Sequence, residues 1–165
     1  MTQFSFDPAT YLDLMRAEVP AYGRLQEAVA DATVGVHVTS VLDLGTGTGE
    51  TLAAVLERHG PADTPPAGRP LRPRRLGSGR APPRGSRQGG VVRPGGGRAA
   101  PGGRFVLGDV VIPVDPADAV TPLSGGHDRP STLAEQLDWL AEAGFEATGV
   151  WAEQDLVVVR ADRPG

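Results

Sequence analysis

The stretch from Gly60 to Gly103 constrains this chain more than any other part of it. Of its 44 residues 12 are Gly, 9 are Pro and 9 are Arg, and its only large apolar side chains are Leu71, Leu76, Val91 and Val92. Such a composition offers too little apolar surface to offset the backbone entropy that folding removes. The segment is therefore expected to be disordered, and any core must come from residues 1–59 and 104–165. With nine Arg and Asp63 as its one acid the segment carries +8, while the remaining 7 Arg and 19 acids give everything else −12. Arg interspersed with Gly can meet phosphate charge. No Phe, Tyr, Trp or His lies between Gly60 and Gly103, however, so there is no base-stacking platform and no specific nucleic-acid partner is expected.

The rest of the composition narrows the chemistry. All 16 basic residues are Arg, and the absence of Cys excludes disulfides, thiolate metal sites and a Cys nucleophile. His37, His59 and His127 are scattered without the spacing of a metal site, so no metal is expected. No apolar run approaches the ~20 residues of a membrane span. The amino end has neither a basic start nor an apolar signal core, so a cytoplasmic protein without a membrane partner is expected. A length of 165 residues suits one domain, divided here into residues 1–59, the segment 60–103, and residues 104–165.

Both flanks carry the periodicity of an α/β protein. Asp7-Pro8 has the form of an N-cap with Pro in the first turn, and Tyr11, Leu12, Leu14 and Met15 then follow a helical stripe as far as Pro20. Leu25, Ala28, Val29 and Ala32 make a second stripe. Val38 to Leu44 is expected to be a short buried strand, and Leu52, Ala53, Val55 and Leu56 occupy one face of a helix ending near His59-Gly60. In the carboxyl flank, Arg104 to Val111 is expected as a strand after a Pro-Gly-Gly turn. Thr132 and Glu135 fit a capping box for a helix with Leu133, Leu137, Leu140 and Ala141 on its apolar face, which Gly144 can end in the left-handed conformation. Phe145 to Trp151 and Leu156 to Ala161 then form a hairpin through residues 152–155. Trp139 and Trp151 are expected to be packing residues.

Asp43-Leu44-Gly45-Thr46-Gly47-Thr48-Gly49 stands between the first expected strand and its helix. Glycines without a Cβ let a ligand lie against the main chain, and the helix start offers unpaired N–H groups to its polar end. Asp43 adds a negative charge suited to an amino group. A dinucleotide fingerprint would need Gly where Glu50 stands, and a phosphate-cradling loop would need a Lys, which the chain lacks.

These residues resemble the first motif of the class I S-adenosylmethionine-dependent methyltransferases, an acid followed by alternate glycines after the first strand. Pro101-Gly102-Gly103-Arg104-Phe105-Val106-Leu107 is similar to that family's turn into its fifth strand, and a terminal helix with a hairpin is how such a domain closes its sheet. The resemblance implies an incomplete Rossmann-like fold and binding of S-adenosylmethionine by Asp43, Gly45, Thr46, Gly47, Thr48 and Gly49. It further implies a methyltransferase acting on a small molecule, with impaired catalysis and no catalytic residue identified. It also implies an amino-terminal lid that would include Tyr11, Arg16 and Tyr22, or else a helix simply packed on the sheet. His127-Asp128 falls where substrate contacts often lie in the family, or in a solvent-exposed turn.

The family's second, third and fourth strands have no counterpart between residues 60 and 103. Pro73–Gln88 can be encoded by codons that, read in one shifted frame, spell Asp-Leu-Val-Val-Ser-Ala-Leu-Ala-Val-His-His-Leu-Glu-Gly-Pro-Gly. That string is similar to the family's fourth-strand region, so the segment is either a frameshift product or a genuine flexible insert. In both cases the acid that would hold the cofactor ribose is missing, Asp63 having no apolar strand before it. The fourth strand would sit between the first and fifth, so both lose a hydrogen-bond partner. A non-enzymatic remnant or binding module is the alternative.

Overall fold

The computed structural model describes residues 8–38, 41–44, 48–63, 101–123 and 129–165. The segment 64–100 lies outside the described residues, and with it the expectation of disorder there. The elements are α1 (Pro8–Glu18), α2 (Tyr22–Ala32), α3 (Glu50–Asp63), β1 (Arg104–Val110), a short 3-10 turn (Pro116–Asp118), α4 (Leu133–Glu142), β2 (Glu146–Glu153) and β3 (Leu156–Asp162). The architecture is mixed α/β around a three-stranded antiparallel sheet in the order β1-β3-β2.

The last strand occupies the middle because of what it is made of. Leu156-Val157-Val158-Val159 is an uninterrupted apolar run, and all four residues are buried. A strand with no polar face must be covered on both sides. On one side Leu156 and Val158 join Val19, Ala21, Leu25, Val29 and Ala32 around α2, with Val106, Val110 and Trp151 at the margin. On the other, Val159 and Ala161 meet Leu140 and Phe145, flanked by Phe105, Leu107, Leu133 and Leu137. The sheet is thus sandwiched between α2 and α4, and α3 packs on α2 as an outer layer.

One close approach fixes the α2 side. A Cβ at Gly108 would stand 2.7 Å from Val29 Cγ2 and 3.3 Å from Leu25 Cδ1, so the helix rests directly on the backbone of β1. The Arg104 guanidinium then locks the register. It donates through Nε to Asp162 Oδ1 at 2.6 Å and through Nη2 to Oδ2 at 3.1 Å, while Nη1 donates to the carbonyls of Ala32 at 3.1 Å and Val34 at 2.6 Å beyond the end of α2. One cation therefore ties the β1–β3 ladder to the negative end of a helix.

The local signals in the carboxyl flank are realised. Thr132 and Glu135 form the reciprocal capping box, Gly144 adopts φ 84°, and β2 and β3 pair as a hairpin. The turn is tighter than expected, since Ala152 and Glu153 belong to β2 and Gln154 takes φ 53°. Val150 is an extra residue between Gly149, opposite Val159, and Trp151, opposite Val158, a bulge that bends β2. In the amino flank α1, α2 and α3 lie where the stripes place them, and Gly60 at φ 66° breaks α3 near the expected end.

Two expectations are corrected. Residues 38 and 41–44 form no strand, and Leu42 and Leu44 are 71% and 59% exposed rather than buried. An apolar run becomes a strand only when a neighbour takes its N–H and C=O groups, and no strand pairs with it among the described residues. Trp139 is 54% exposed on α4, and the helix instead buries Gln136 and Leu140. Ala141, expected on the apolar face, is exposed as well. Among the described residues β1 pairs with β3 alone, so its opposite edge has no strand beside it.

Candidate functional site

The glycine loop enters α3. Gly49 takes φ 90°, a left-handed conformation that glycine adopts without strain, and its carbonyl accepts the Ala53 N–H at 2.9 Å, which makes it the turning point into the helix. Glu50 places a carboxylate in the first turn, where the helix dipole favours it, and accepts a hydrogen bond from the Thr48 hydroxyl. The Thr48 side chain is thereby engaged within the chain. Gly45, Thr46 and Gly47 lie outside the described residues. Asp43 is partly buried, and its Oδ2 is fully shielded from solvent without a hydrogen-bond partner among the described residues. A buried carboxylate oxygen left without a donor is costly, and a ligand N–H would relieve it.

The amino-terminal candidates come together at the same helix start. Burial pushes the Tyr22 phenol above its ordinary pKa, the neighbouring Tyr11 and Glu50 push it the same way, and Arg16 opposes them. Tyr11, Arg16, Tyr22 and Glu50 thus share one electrostatic neighbourhood. Thr51, one residue on, donates to Gln26 Oε1 at 2.5 Å and fastens α3 to α2.

Other candidates fall elsewhere. His59 Nε2 shares a hydrogen bond of 2.9 Å with Thr33 Oγ1, a link between the ends of α2 and α3. Among the described residues no three acidic or His side chains meet in a way that could hold a metal ion. His127 and Asp128 lie outside the described residues. Asp63 ends α3, so it does not stand at the end of a strand. A depression of about 240 Å³ is lined by Leu133, Gly149, Val150, Trp151 and Ala152, and another of about 210 Å³ by Glu27, Ala30, Ala54, Glu57 and Arg58. Neither touches Asp43, Thr48 or Gly49.

No family model, curated protein or solved structure matches this chain. No helix among the described residues is long and apolar enough to cross a membrane.

The sequence pattern gave no sign of a second polar cluster, where β1 meets α4. Gln136 is 4% exposed, and its Nε2 donates to Asp109 Oδ2 at 2.8 Å and to Ser131 Oγ at 3.2 Å. Asp109 Oδ1 accepts the N–H of Val110 at 2.9 Å. Asp155, in the hairpin turn, is 2% exposed and stitches down the loop that follows β1. Its Oδ2 accepts the N–H groups of Val120 at 2.9 Å and Thr121 at 2.6 Å, and its Oδ1 the Thr121 hydroxyl at 3.0 Å. An Asp before an apolar run has the form of an ordinary turn residue, so its long-range bonds leave no local signal.

Proposed function

We propose that the chain is an S-adenosylmethionine-dependent methyltransferase of incomplete class I, Rossmann-like fold, acting on a small molecule with a weakened hold on its cofactor. The observation that carries this reading is the buried Oδ2 of Asp43, unpartnered among the described residues, just before a glycine loop whose last residue turns into α3 at φ 90°. That oxygen suits the ammonium of an amino acid, and the first N–H groups of α3 suit a polar neighbour. Further support comes from the sheet. β3 lies antiparallel between β1 and β2, and the edge of β1 that has no strand beside it among the described residues is where the resemblance implies a fourth strand.

The residues present fit only the amino acid end of S-adenosylmethionine. When bound, that cofactor supplies an electrophilic methyl group on a sulfonium. The chain's share of the work is positioning, because transfer demands alignment more than an acid or base. Asp43 would anchor one end, but no described acid ends a strand where a ribose could be held. Each missing charge-assisted bond costs about 1.5–3 kcal/mol, so affinity should be at least roughly tenfold to a hundredfold below that of a complete site.

The exposed Leu42 and Leu44 favour a second reading, a non-enzymatic remnant or binding module, since they leave the approach to the loop without a strand beneath it. Titration calorimetry with S-adenosylmethionine separates the two. Weak binding, well above low micromolar, that is lost in Gly47→Val and Asp43→Asn supports the methyltransferase reading. Undetectable binding in all three proteins supports the remnant. A low-micromolar dissociation constant abolished by Gly47→Val would confirm the loop and refute the damage. An uninterrupted family-like frame in the coding DNA across residues 60–103 would point to a complete enzyme.

A further inference from the structure

Gln136 is used unevenly. Its Nε2 makes both available bonds, to Asp109 and Ser131, whereas its Oε1 is buried with no partner among the described residues. Among the described residues nothing supplies Asp109 with a countercharge. Arg104 and Arg160 on the strands are engaged with Asp162, and Arg24 on α2 with Glu153. Asp155 beside the ladder is turned toward Val120 and Thr121, and Glu135 on α4 toward Thr132. Asp138 and Glu142 on α4, and Glu27 and Asp31 on α2, add no electrostatic contribution at Asp109.

We propose that Asp109 and Gln136 form a proton-coupled amide switch at the junction of β1 and α4. With Asp109 ionised, the carboxylate can only accept, and the amide presents its N–H groups to it. A proton taken up from solvent turns the carboxyl group into a donor that needs an acceptor. The unused Oε1 is bonded to the same carbon as Nε2, so rotation of the amide brings it to Asp109, and the Ser131 hydroxyl can reverse to donate to it as well. The contact between strand end and helix therefore survives protonation with its polarity inverted, which an apolar Leu at position 136 would not allow. Burial already holds the Asp109 carboxyl above the ordinary aspartate range, opposed by the hydrogen bonds from Val110 and Gln136, so the switch operates above the pH at which an ordinary aspartate titrates.

An NMR pH titration of the whole chain tests this, following the Asp109 carboxyl carbon and the Gln136 side-chain amide together. The expected result is one shared midpoint, displaced upward from an ordinary aspartate, with the Gln136 transition absent in Asp109→Asn. Gln136→Met, which keeps length but removes both polar groups, should move the Asp109 midpoint higher still, since the donor to the ionised form is gone. Gln136 resonances that stay still through the Asp109 midpoint, or that move equally in Asp109→Asn, would overturn the proposal. So would proximity between the Gln136 side-chain amide protons and Ser131, read by cross-relaxation in the parent protein, that persists unchanged below the Asp109 midpoint, a readout that does not need Asp109→Asn to fold.

Discussion

Replacing Gly108 by Ala tests how closely α2 rests on the sheet. The added methyl carbon would lie 2.7 Å from Val29 Cγ2, about 1 Å inside the 3.5–4.0 Å at which carbon atoms rest in contact. Val29 has little room to yield, because a β-branched residue in a helix keeps essentially one rotamer and this one is buried. Overpacking of this kind costs about 1–3 kcal/mol. Against it stands the gain of roughly 0.5–1 kcal/mol from a less flexible unfolded chain. The net expectation is a loss of about 0.5–2 kcal/mol, measured by urea unfolding followed by circular dichroism. Val29→Ala alone should also destabilise, by about 1.5–3 kcal/mol for its lost methyl groups and the cavity they leave. In the double variant the new methyl occupies vacated space, so the combined loss should fall short of the sum by about 1 kcal/mol or more. A neutral or stabilising Gly108→Ala, or strict additivity with Val29→Ala, would refute the close approach.

Three further outcomes are expected. Asp109→Asn should make the protein more stable at neutral pH, with the advantage shrinking as pH falls. The raised pKa of Asp109 means that the folded state gives up its proton less readily, so this group's contribution declines as pH rises from the ordinary aspartate value through the raised one. Asp162 works in the opposite direction: the hydrogen bonds from Arg104 hold its carboxyl below the ordinary value, and its contribution, present above the unfolded pKa, is lost as pH falls through the folded one. Thermal melts of Asp162→Asn and the parent should therefore converge in acid. Thr132→Ala removes the capping box of α4 and should cost about 1 kcal/mol, read from denaturant midpoints at constant m-value.

The elements legible in the sequence were those whose cause is local. Thr132 and Glu135 sit three residues apart and cap a helix wherever that helix docks, and Gly144 needs only its own φ to end it. The Val38–Leu44 run failed as a strand because strands are pair properties, and its apolar pattern carries no information on whether a partner exists. Trp139 was misplaced for a related reason. A bulky aromatic at helical spacing suggests a core, but the face that α4 buries is set by Phe145, Val159 and Ala161 across from Leu140. At the glycine loop the spacing singles out Asp43 and Gly49 as candidates, whereas the want of a hydrogen-bond partner for Asp43 Oδ2 among the described residues depends on three-dimensional surroundings. The bond of Gln136 to Asp109 spans 27 positions and those of Asp155 to Val120 and Thr121 span 34 or more, beyond any motif.

The placement of β3 between β1 and β2 has a consequence for how the molecule is made. Both ladders of the sheet run through residues 156–162, so β1 and β2 have no strand partner in this sheet while those residues remain inside the ribosome. Synthesis at about 5–20 residues per second leaves β1 waiting several seconds with its apolar side chains Phe105, Val106 and Leu107 unsheltered by the central strand. During that interval α2, made well before β1, is already available to cover one face of it. The order in which the chain emerges thus makes the β1–α2 contact at Gly108 a natural holding point, completed only when the last strand threads the gap.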